Sequence, residues 1–510
     1  MPRSLRETIQ RGLANETGVI RKDHGGKLRV CLVYPNTYSV GMSSLGFQTI
    51  YHLFNSHPNV VCERGFAPDR EEPGERAPGA DLKSSPQIVS YESQMPLQQF
   101  DVIAFSISYE LDYVNVARVL RLARIPVFAA DREEQHPLVI AGGAAVTINP
   151  EPLADLVDLF VIGEAEEVAG ELVGAVAGRA RDEWVVAAGE VEGVHVPELR
   201  RACPSTALGD IPALQGRRYV RDLDAWPTCS RLLTRETEFG ELFLVEVSRG
   251  CGRGCRFCVT PVCYRPLRWR SAGKVLQAAR EGLAYRDAIG LIGAAVSDHP
   301  EVDEIARGVL GMGARLSVSS LRADSVSPVL LDSLARSGAK NITIAPEAGT
   351  ERLRRAIGKP ISEDQIVDTL SRAASAGIKE AKLYFMVGLP GETEEDVQAI
   401  PALVRWCLKQ CGLRRITVAA GAFVPKPGTL FAQEVMPPVR ELSRRLRAIR
   451  YELRSERRVR LALESPNWSH IEGVLSRGDR RLGQAIVAAE AGGGNLAAWR
   501  KALSEAGMVP

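Results

Sequence analysis

Short apolar runs alternate with helix-spaced segments over residues 1–184. The runs are rich in β-branched residues, and the segments between them carry apolar residues at three- and four-residue spacing. Buried strands separated by amphipathic helices predict a parallel, doubly wound sheet that is covered on both faces. The predicted strands are LRVCLVY (28–34), DVIAFSIS (101–108), PLVIAGG (137–143) and VDLFVIGE (157–164).

The same pattern locates a candidate ligand edge in this first domain. Ligands of open α/β sheets bind beyond the carboxyl ends of the strands. Small and polar residues stand at those ends, and we take them as candidate binding residues: Ser106, Ser108, Gly142, Gly143, Gly163 and Glu164.

Strand and helix patterns resume between residues 241 and 436. Six βα units in this span predict a partial barrel, (β/α)6, with its active site at the carboxyl ends of the strands. The predicted strands are LFLVEVS (242–248), IGLIGAAVS (289–297), ARLSVSS (314–320), NITIAP (341–346), AKLYFMVG (381–388) and ITVAAGAFV (416–424).

The remaining segments are read as connections and helices. Residues 185–240 carry scattered prolines and little periodicity, which predicts a linker between the two domains. Residues 437–510 form a small, mostly helical C-terminal region. The arginines within 440–460 are interspersed with glutamates, a pattern typical of a solvated helix.

Composition adds few constraints except through cysteine. The net charge of +2 argues neither for nor against a nucleic-acid partner. The polar N-terminus and the lack of a long apolar run predict a cytoplasmic protein without a membrane span. Four of the ten cysteines lie between positions 251 and 263, which indicates a metal or cofactor site rather than a disulfide framework.

The clustered cysteines follow the first predicted barrel strand directly, in EVSRGCGRGCRFC (246–258). Cys251, Cys255 and Cys258 have the spacing C-x3-C-x2-C, so three thiolates in a short glycine-rich loop can hold one corner of a [4Fe–4S] cluster. Three protein ligands leave one iron open to bind a second molecule. The rival interpretation adds Cys263 and forms a closed four-thiolate zinc or electron-transfer site.

The loop and its barrel resemble the radical S-adenosylmethionine (SAM) superfamily. The resemblance covers residues 241–436 and rests on the cysteine loop, GAAVSD (293–298), SSLRAD (319–324), APEAGTERLRRAIGK (345–359), FMVGLPGETEED (385–396) and FVPKPGT (423–429). It implies a cluster on the three cysteines and SAM contacts at Phe257, Gly293, Ser319, Arg322, Glu347, Gly388 and Val424. GAAVSD departs from the family's usual Gly-Gly-Glu.

The first domain resembles the Rossmann-like, cobalamin-binding domain of one large radical SAM subfamily. The resemblance rests on IAGGAAVTINPEPLADLVDLFVIGEAEE (140–167) and implies cobalamin at Ser106, Ser108, Gly142, Gly143, Gly163 and Glu164. The Asp-x-His-x-x-Gly motif, which gives cobalt a histidine in many cobalamin proteins, is absent; PNTYSVGMSSLG (35–46) stands there instead. Two interpretations stay open: a cobalamin domain, and a Rossmann-like domain with another role or none.

The resemblance implies an enzyme that cleaves SAM reductively and acts on an unknown substrate through a 5′-deoxyadenosyl radical. With cobalamin, the outcome is C-methylation; without it, cyclisation, oxidation or rearrangement. A non-catalytic iron–sulfur or cobalamin sensor is the alternative from another class. The expected electron donor is a flavodoxin or ferredoxin, and nucleic acid is not an expected partner, since no RNA-binding module is appended.

Overall fold

The computed structural model describes residues 3–68, 87–197 and 216–508, so residues 198–215 of the predicted linker lie outside the described residues. The chain divides into two compact units. The first comprises residues 1–220, 230–240 and 474–510, and the second comprises 221–229 and 241–473. No helix of the described residues is both long and apolar enough to cross a membrane.

The first unit is built on a six-stranded sheet in the order β2-β1-β3-β4-β5-β6, in which only β6 is antiparallel to its neighbour. The predicted α/β sheet is therefore confirmed. Its strands are β1 (Leu28–Tyr34), β2 (Val60–Phe66), β3 (Val102–Ser106), β4 (Leu138–Gly142), β5 (Leu159–Val161) and β6 (Val194–His195). Its N-terminal helices are α1 (Arg3–Ala14), α2 (Tyr38–Met42), α3 (Leu45–Ser56), α4 (Tyr113–Leu122), α5 (Ala144–Ile148), α6 (Glu166–Val176) and α7 (Trp184–Gly189).

The second unit contains a parallel barrel segment in two sheets, β11-β10-β7 and β12-β13-β14-β15, with the hairpin β8-β9 beside them. A parallel bridge between Leu321 and Ile344 connects the two sheets. The strands are β7 (Phe243–Glu246), β8 (Ser248–Arg249), β9 (Arg268–Trp269), β10 (Ala288–Ile292), β11 (Arg315–Val318), β12 (Asn341–Glu347), β13 (Glu380–Val387), β14 (Arg415–Ala422) and β15 (Val459–Leu463).

Helices alternate with these strands, as the sequence predicts. They are α8 (Thr260–Tyr264), α9 (Ala272–Gly282), α10 (Val302–Gly311), α11 (Pro328–Arg336), α12 (Glu351–Ala356), α13 (Glu363–Ser375), α14 (Glu394–Gln410), α15 (Val439–Leu453) and α16 (Pro466–Arg477). Capping boxes fix the starts of α13 and α14, because Ser362 with Gln365 and Thr393 with Asp396 satisfy the free amides reciprocally. The last helices, α17 (Leu482–Ala491) and α18 (Leu496–Glu505), belong to the first unit.

The first unit contains a buried charge cluster of Arg64, Glu92 and Glu16. Arg64 of β2 is fully buried and binds Glu92 at 2.6 Å and Glu16 at 2.7 Å. Its guanidinium also lies 5.4 Å from the ring centroid of Tyr51. Burial alone would lower the pKa of Arg64, but the two carboxylates raise it above its usual value, so the side chain is a cation.

Candidate active site

The cysteine loop lies between the hairpin strand β8 and helix α8. β8 pairs antiparallel with β9, with Ser248 opposite Trp269. This pairing brings together the two ends of the segment that contains the loop. Gly250 has φ +85°, and a Cβ there would lie 2.4 Å from the carbonyl oxygen of Tyr264. Only glycine fits this turn, which explains one of the loop glycines.

The carboxyl end of α12 holds the other side of the loop. Arg256 donates its amide to the carbonyl of Ile357 at 2.9 Å, and its own carbonyl accepts from Phe431 at 3.1 Å. Gly358, at φ +76°, approaches so closely that a Cβ would lie 2.3 Å from the carbonyl oxygen of Gly254. The backbone between the second and third cysteines is thus clamped from two segments.

Replacing Gly358 with alanine is expected to displace the loop and to lower the iron that the chain retains after anaerobic reconstitution. The matched control is Gly338→Ala, which has φ +80° but no atom within 4 Å of the new Cβ. Both variants bear left-handed strain of about 1 kcal/mol or more, whereas only Gly358→Ala meets the loop. Equal iron contents in the two variants would refute the clamp.

Exposure separates the three loop cysteines from the others. Cys251, Cys255 and Cys258 are half-buried, whereas every other described cysteine, Cys263 included, is buried. Burial raises the pKa of Cys255, while Lys359 and Arg322, the latter through a side-chain hydrogen bond, act to lower it. The thiol therefore lies beside cations that favour its thiolate form.

The donor set fits an iron–sulfur cube better than a single metal ion. Within the described ranges, no three or more His, Cys, Asp or Glu side chains are grouped as ligands of one ion. Each thiolate of a cube binds a different iron, so the three sulfurs need not converge on one point. Cys263 lies buried in α8.

Three ion pairs surround the loop. They join Arg253 with Asp298 at 2.7 Å, Arg322 with Asp324 at 2.9 Å and Lys359 with Glu347 at 2.9 Å. Glu347 has φ +70° and follows a register shift in β12, a conformation uncommon outside glycine. Such strain persists where surrounding contacts fix it, here the ion pair with Lys359, and it is typical of functional sites.

Phe257 and Gly293 are both predicted to contact SAM; Phe257 lies against apolar side chains, and Gly293 lies against a buried hydroxyl. Phe257 packs with Leu389, Phe423 and Phe431 in one apolar cluster. A Cβ on Gly293 would lie 2.5 Å from Ser248 Oγ. That hydroxyl is buried and finds no hydrogen-bond partner among the described residues. A buried hydroxyl without a partner is what a site for a polar ligand leaves in its absence.

The other predicted SAM residues lie at the ends of successive strands. Ser319 is exposed just beyond β11, and Val424 is half-buried two residues beyond β14. Gly388 has φ +84° and donates its amide to Glu392 at 2.7 Å. Burial raises the pKa of Glu392 to about 7, against the opposing effects of that amide and of Arg445.

Sequence reasoning missed the partners that orient these residues. Lys359, Arg253, Asp298 and Asp324 stand inside the segments that carry the family resemblance, yet none was singled out. The one sequence signal that could have identified them is that they lie within those segments. Their pairing depends on neighbouring strands and loops, which only the fold brings together.

The predicted residues of the first unit divide into two groups. Ser106 pairs with Gly142 across β3 and β4, both half-buried, and Ser108 is exposed. Gly143, at φ +109°, turns the chain against Ile107, where a Cβ would lie 2.4 Å from its carbonyl oxygen.

The second group, Gly163 and Glu164, makes contacts with other segments of the same chain. Gly163 forms a parallel bridge with Arg218, and the carboxylate of Glu164 accepts the amide of Val220 at 2.8 Å. Of the six predicted residues, Glu164 is buried, Ser108 is exposed and the other four are half-buried.

Comparison with known proteins gives matches along both halves of the chain. The model "Radical SAM proteins, N-terminal" matches residues 46–197, and "Radical SAM superfamily" matches residues 245–404, together more than half of the chain. An uncharacterised protein of Methanocaldococcus jannaschii is 29% identical over 467 residues, 90% of each chain. Cytidylyl-2-hydroxyethylphosphonate methyltransferase of Streptomyces wedmorensis is 25% identical over 337 residues, 59% of this chain and 61% of that one.

Two solved structures share the fold. The radical SAM methyltransferase TsrM of Kitasatospora setae, with tryptophan and a SAM analogue bound, has a TM-score of 0.52 at 14% identity and covers 80% of this chain and 76% of its own. The cobalamin-dependent SAM radical enzyme OxsB, with aqua-cobalamin bound, has a TM-score of 0.51 at 16% identity and covers 74% and 52%. The chain belongs to the radical SAM superfamily of enzymes, for which the family implies a [4Fe–4S] cluster and SAM.

Proposed function

We propose that this enzyme cleaves SAM reductively at a cluster held by Cys251, Cys255 and Cys258, and that it methylates a carbon of its substrate with the help of cobalamin. The three half-buried thiols at the carboxyl end of the first barrel strand carry the proposal. When bound, the cluster supplies one electron to the SAM sulfonium, and cobalamin supplies a methyl group.

The chain's own residues bind and orient in this reaction. Lys359 and Arg322 place positive charge beside Cys255, and the unpartnered Ser248 hydroxyl beside Gly293 offers a polar contact to SAM. Phe257 and its apolar neighbours exclude water where they cover the loop.

Support for cobalamin comes from the first unit and from the comparisons. OxsB, a fold relative, is a cobalamin-dependent enzyme, and TsrM is a radical SAM methyltransferase. In this chain Ser106 and Gly142 are half-buried and Ser108 is exposed at the sheet edge, where a ligand can contact them. A cobalamin-free radical reaction is the second candidate, favoured by the absence of the Asp-x-His-x-x-Gly motif after β1 and by the internal contacts of Gly163 and Glu164.

Product analysis distinguishes the two candidates. The chain is reconstituted anaerobically with iron, sulfide and hydroxocobalamin, and then receives a reductant and SAM. We expect 5′-deoxyadenosine with methionine from one SAM, and S-adenosylhomocysteine from a second SAM whose methyl group is transferred. The second product must depend on cobalamin. Formation of 5′-deoxyadenosine alone would support the cobalamin-free reaction, and formation of neither product would support a sensor.

A further inference from the structure

The barrel strands of the second unit have one buried face and one open face. On β13, Ala381, Leu383, Phe385 and Val387 are buried, while the alternate positions are half-buried or exposed. β12 shows the same alternation, and most of β14 does too. Successive side chains of a strand point to opposite faces, and helices cover the buried one, so the open positions line the inside of the barrel.

On this open face, one row of side chains across neighbouring strands carries positive charges and hydroxyl groups; we call it the cationic row. Backbone register places Thr343 beside Lys382, Lys382 beside Thr417, and Thr417 beside Arg460. Four neighbouring strands therefore contribute two cations and two hydroxyls at one level of the barrel. The hydroxyls can donate to the same group that the cations attract.

Lys382 has no acidic partner in the part of the chain that the structure describes. Its Nζ instead lies 4.6 Å from the ring centroid of Tyr384, the next open position on the same strand. This cation–π contact holds the ammonium in place without neutralising it. Tyr384 is 38% exposed, so a molecule can reach both groups.

Charge at the amino end of these strands is also positive. Glu380 is the acidic residue near the row, and it already pairs with Arg414 and with Arg415. Arg414, and to a lesser degree Arg415 and Arg460, lower the pKa of Glu380. One carboxylate is thus shared by three arginines, which leaves the charge of Lys382 uncompensated.

Closer to the carboxyl ends of the strands, the open face carries small side chains first and then a negative charge. Tyr384 stands beside Ala419, which stands beside Ala462, so small side chains lie opposite the ring. One level further, a Cβ on Gly421 would lie 2.3 Å from an Oε of Glu464, so this exposed carboxylate covers the strand there. Lys382 lies five residues before Val387, the last residue of β13. At a rise of about 3.3 Å per residue, the cationic row is about 17 Å from the carboxyl ends, the length of an extended substrate.

We infer that Lys382, with Thr343, Thr417 and Arg460, forms a subsite for an anionic group of the substrate, a carboxylate or a phosphate. The inference rests on the proposed function and specifies its substrate class: a molecule with an anionic end, which binds deep in the barrel, and a reacting carbon near the cysteine loop. Glu464 repels a second anion at the mouth and so fixes the orientation.

Anion binding tests this subsite without SAM, reductant or turnover, so a failure of the radical reaction would leave the result intact. Inorganic phosphate and malonate are titrated separately into the reconstituted full chain by calorimetry. We expect Lys382→Met to weaken binding of the preferred anion about 10-fold or more, as loss of a charge-assisted contact does. We expect Lys382→Arg to retain most of it.

The control is Lys274→Met, which removes an exposed lysine of α9 and should bind both anions like the parent. Preference for phosphate or for malonate identifies the source of the anionic group. The inference is overturned if the parent binds neither anion, or if Lys382→Met and Lys274→Met bind them equally. Should Lys382→Met unfold, Lys382→Gln and Tyr384→Leu provide the same comparison.

Discussion

Replacing Cys255 with alanine is expected to abolish SAM cleavage and to remove the cluster's visible absorbance from the reconstituted protein. Cys255 is the middle thiol of the loop, and it lies beside Cys258, Arg322 and Lys359. Its loss leaves two thiolates, too few to hold a cube against solvent in so exposed a loop. Iron and sulfide content, visible absorbance and 5′-deoxyadenosine yield are the three measurements.

Cys263→Ala is the control, because that thiol is buried in α8 only a few residues further on. It should retain iron, absorbance and SAM cleavage. Loss of the cluster in Cys263→Ala would restore the four-thiolate interpretation. Retained cleavage in Cys255→Ala would contradict the assignment of the loop itself, whatever the N-terminal unit binds.

The apolar pattern predicted most strands correctly. β6, β8 and β9 have two residues each, too few for such a pattern, and β2 and β15 were missed for other reasons. β2 was missed because its sequence, VVCERGF, carries Glu63 and Arg64 in the middle of a strand that is buried throughout. These charges are stable there only because partners on distant segments neutralise them, and no local pattern reveals that. β15 was missed because VRLAL has only five residues and stands between two helical patterns, in a region predicted to be mostly helical.

The candidate site shows the same division between local and non-local signals. Three cysteines in a short loop follow from spacing alone, since the ligands are neighbours in sequence. Lys359 is far from Cys255 in the chain, and it reaches the loop through the tight approach of Gly358 to Gly254. Lys382 was not singled out either, because its row exists only when four strands are in register.

The charges around the cysteine loop and the charges inside the barrel have different roles in the second unit. Around the loop, Arg253, Arg322 and Lys359 each have a carboxylate partner, so their charge is fixed and compensated. Inside the barrel Lys382 is uncompensated and accessible. Compensated pairs orient a bound group, whereas a free cation in an open channel attracts one, which is why we assign the substrate to the latter.

Arg64→Met is expected to destabilise the first unit by about 3–5 kcal/mol, since removal of one member of a buried ion-pair cluster leaves its partners charged and buried. Burial raises the pKa of Glu92 even though Arg64 opposes the shift. Without Arg64 the pKa of Glu92 rises further. A folded form with a raised carboxyl pKa holds its proton more tightly than the unfolded chain, so its stability falls as pH increases. The deficit of Arg64→Met should therefore be larger near pH 8 than near pH 5.5.

Pulsed hydrogen exchange across a urea series, read on peptides covering β1 and β2, measures this unit separately from the barrel. The control is Arg29→Met, which breaks an ion pair between β1 and Asp101 that is partly exposed. Such pairs contribute about 1 kcal/mol or less, so its urea midpoint should stay near that of the parent at both pH values. Equal midpoints for the two variants would contradict the role of Arg64. A deficit independent of pH would show instead that Glu92 does not bear the unpaired charge, because lost packing alone does not titrate.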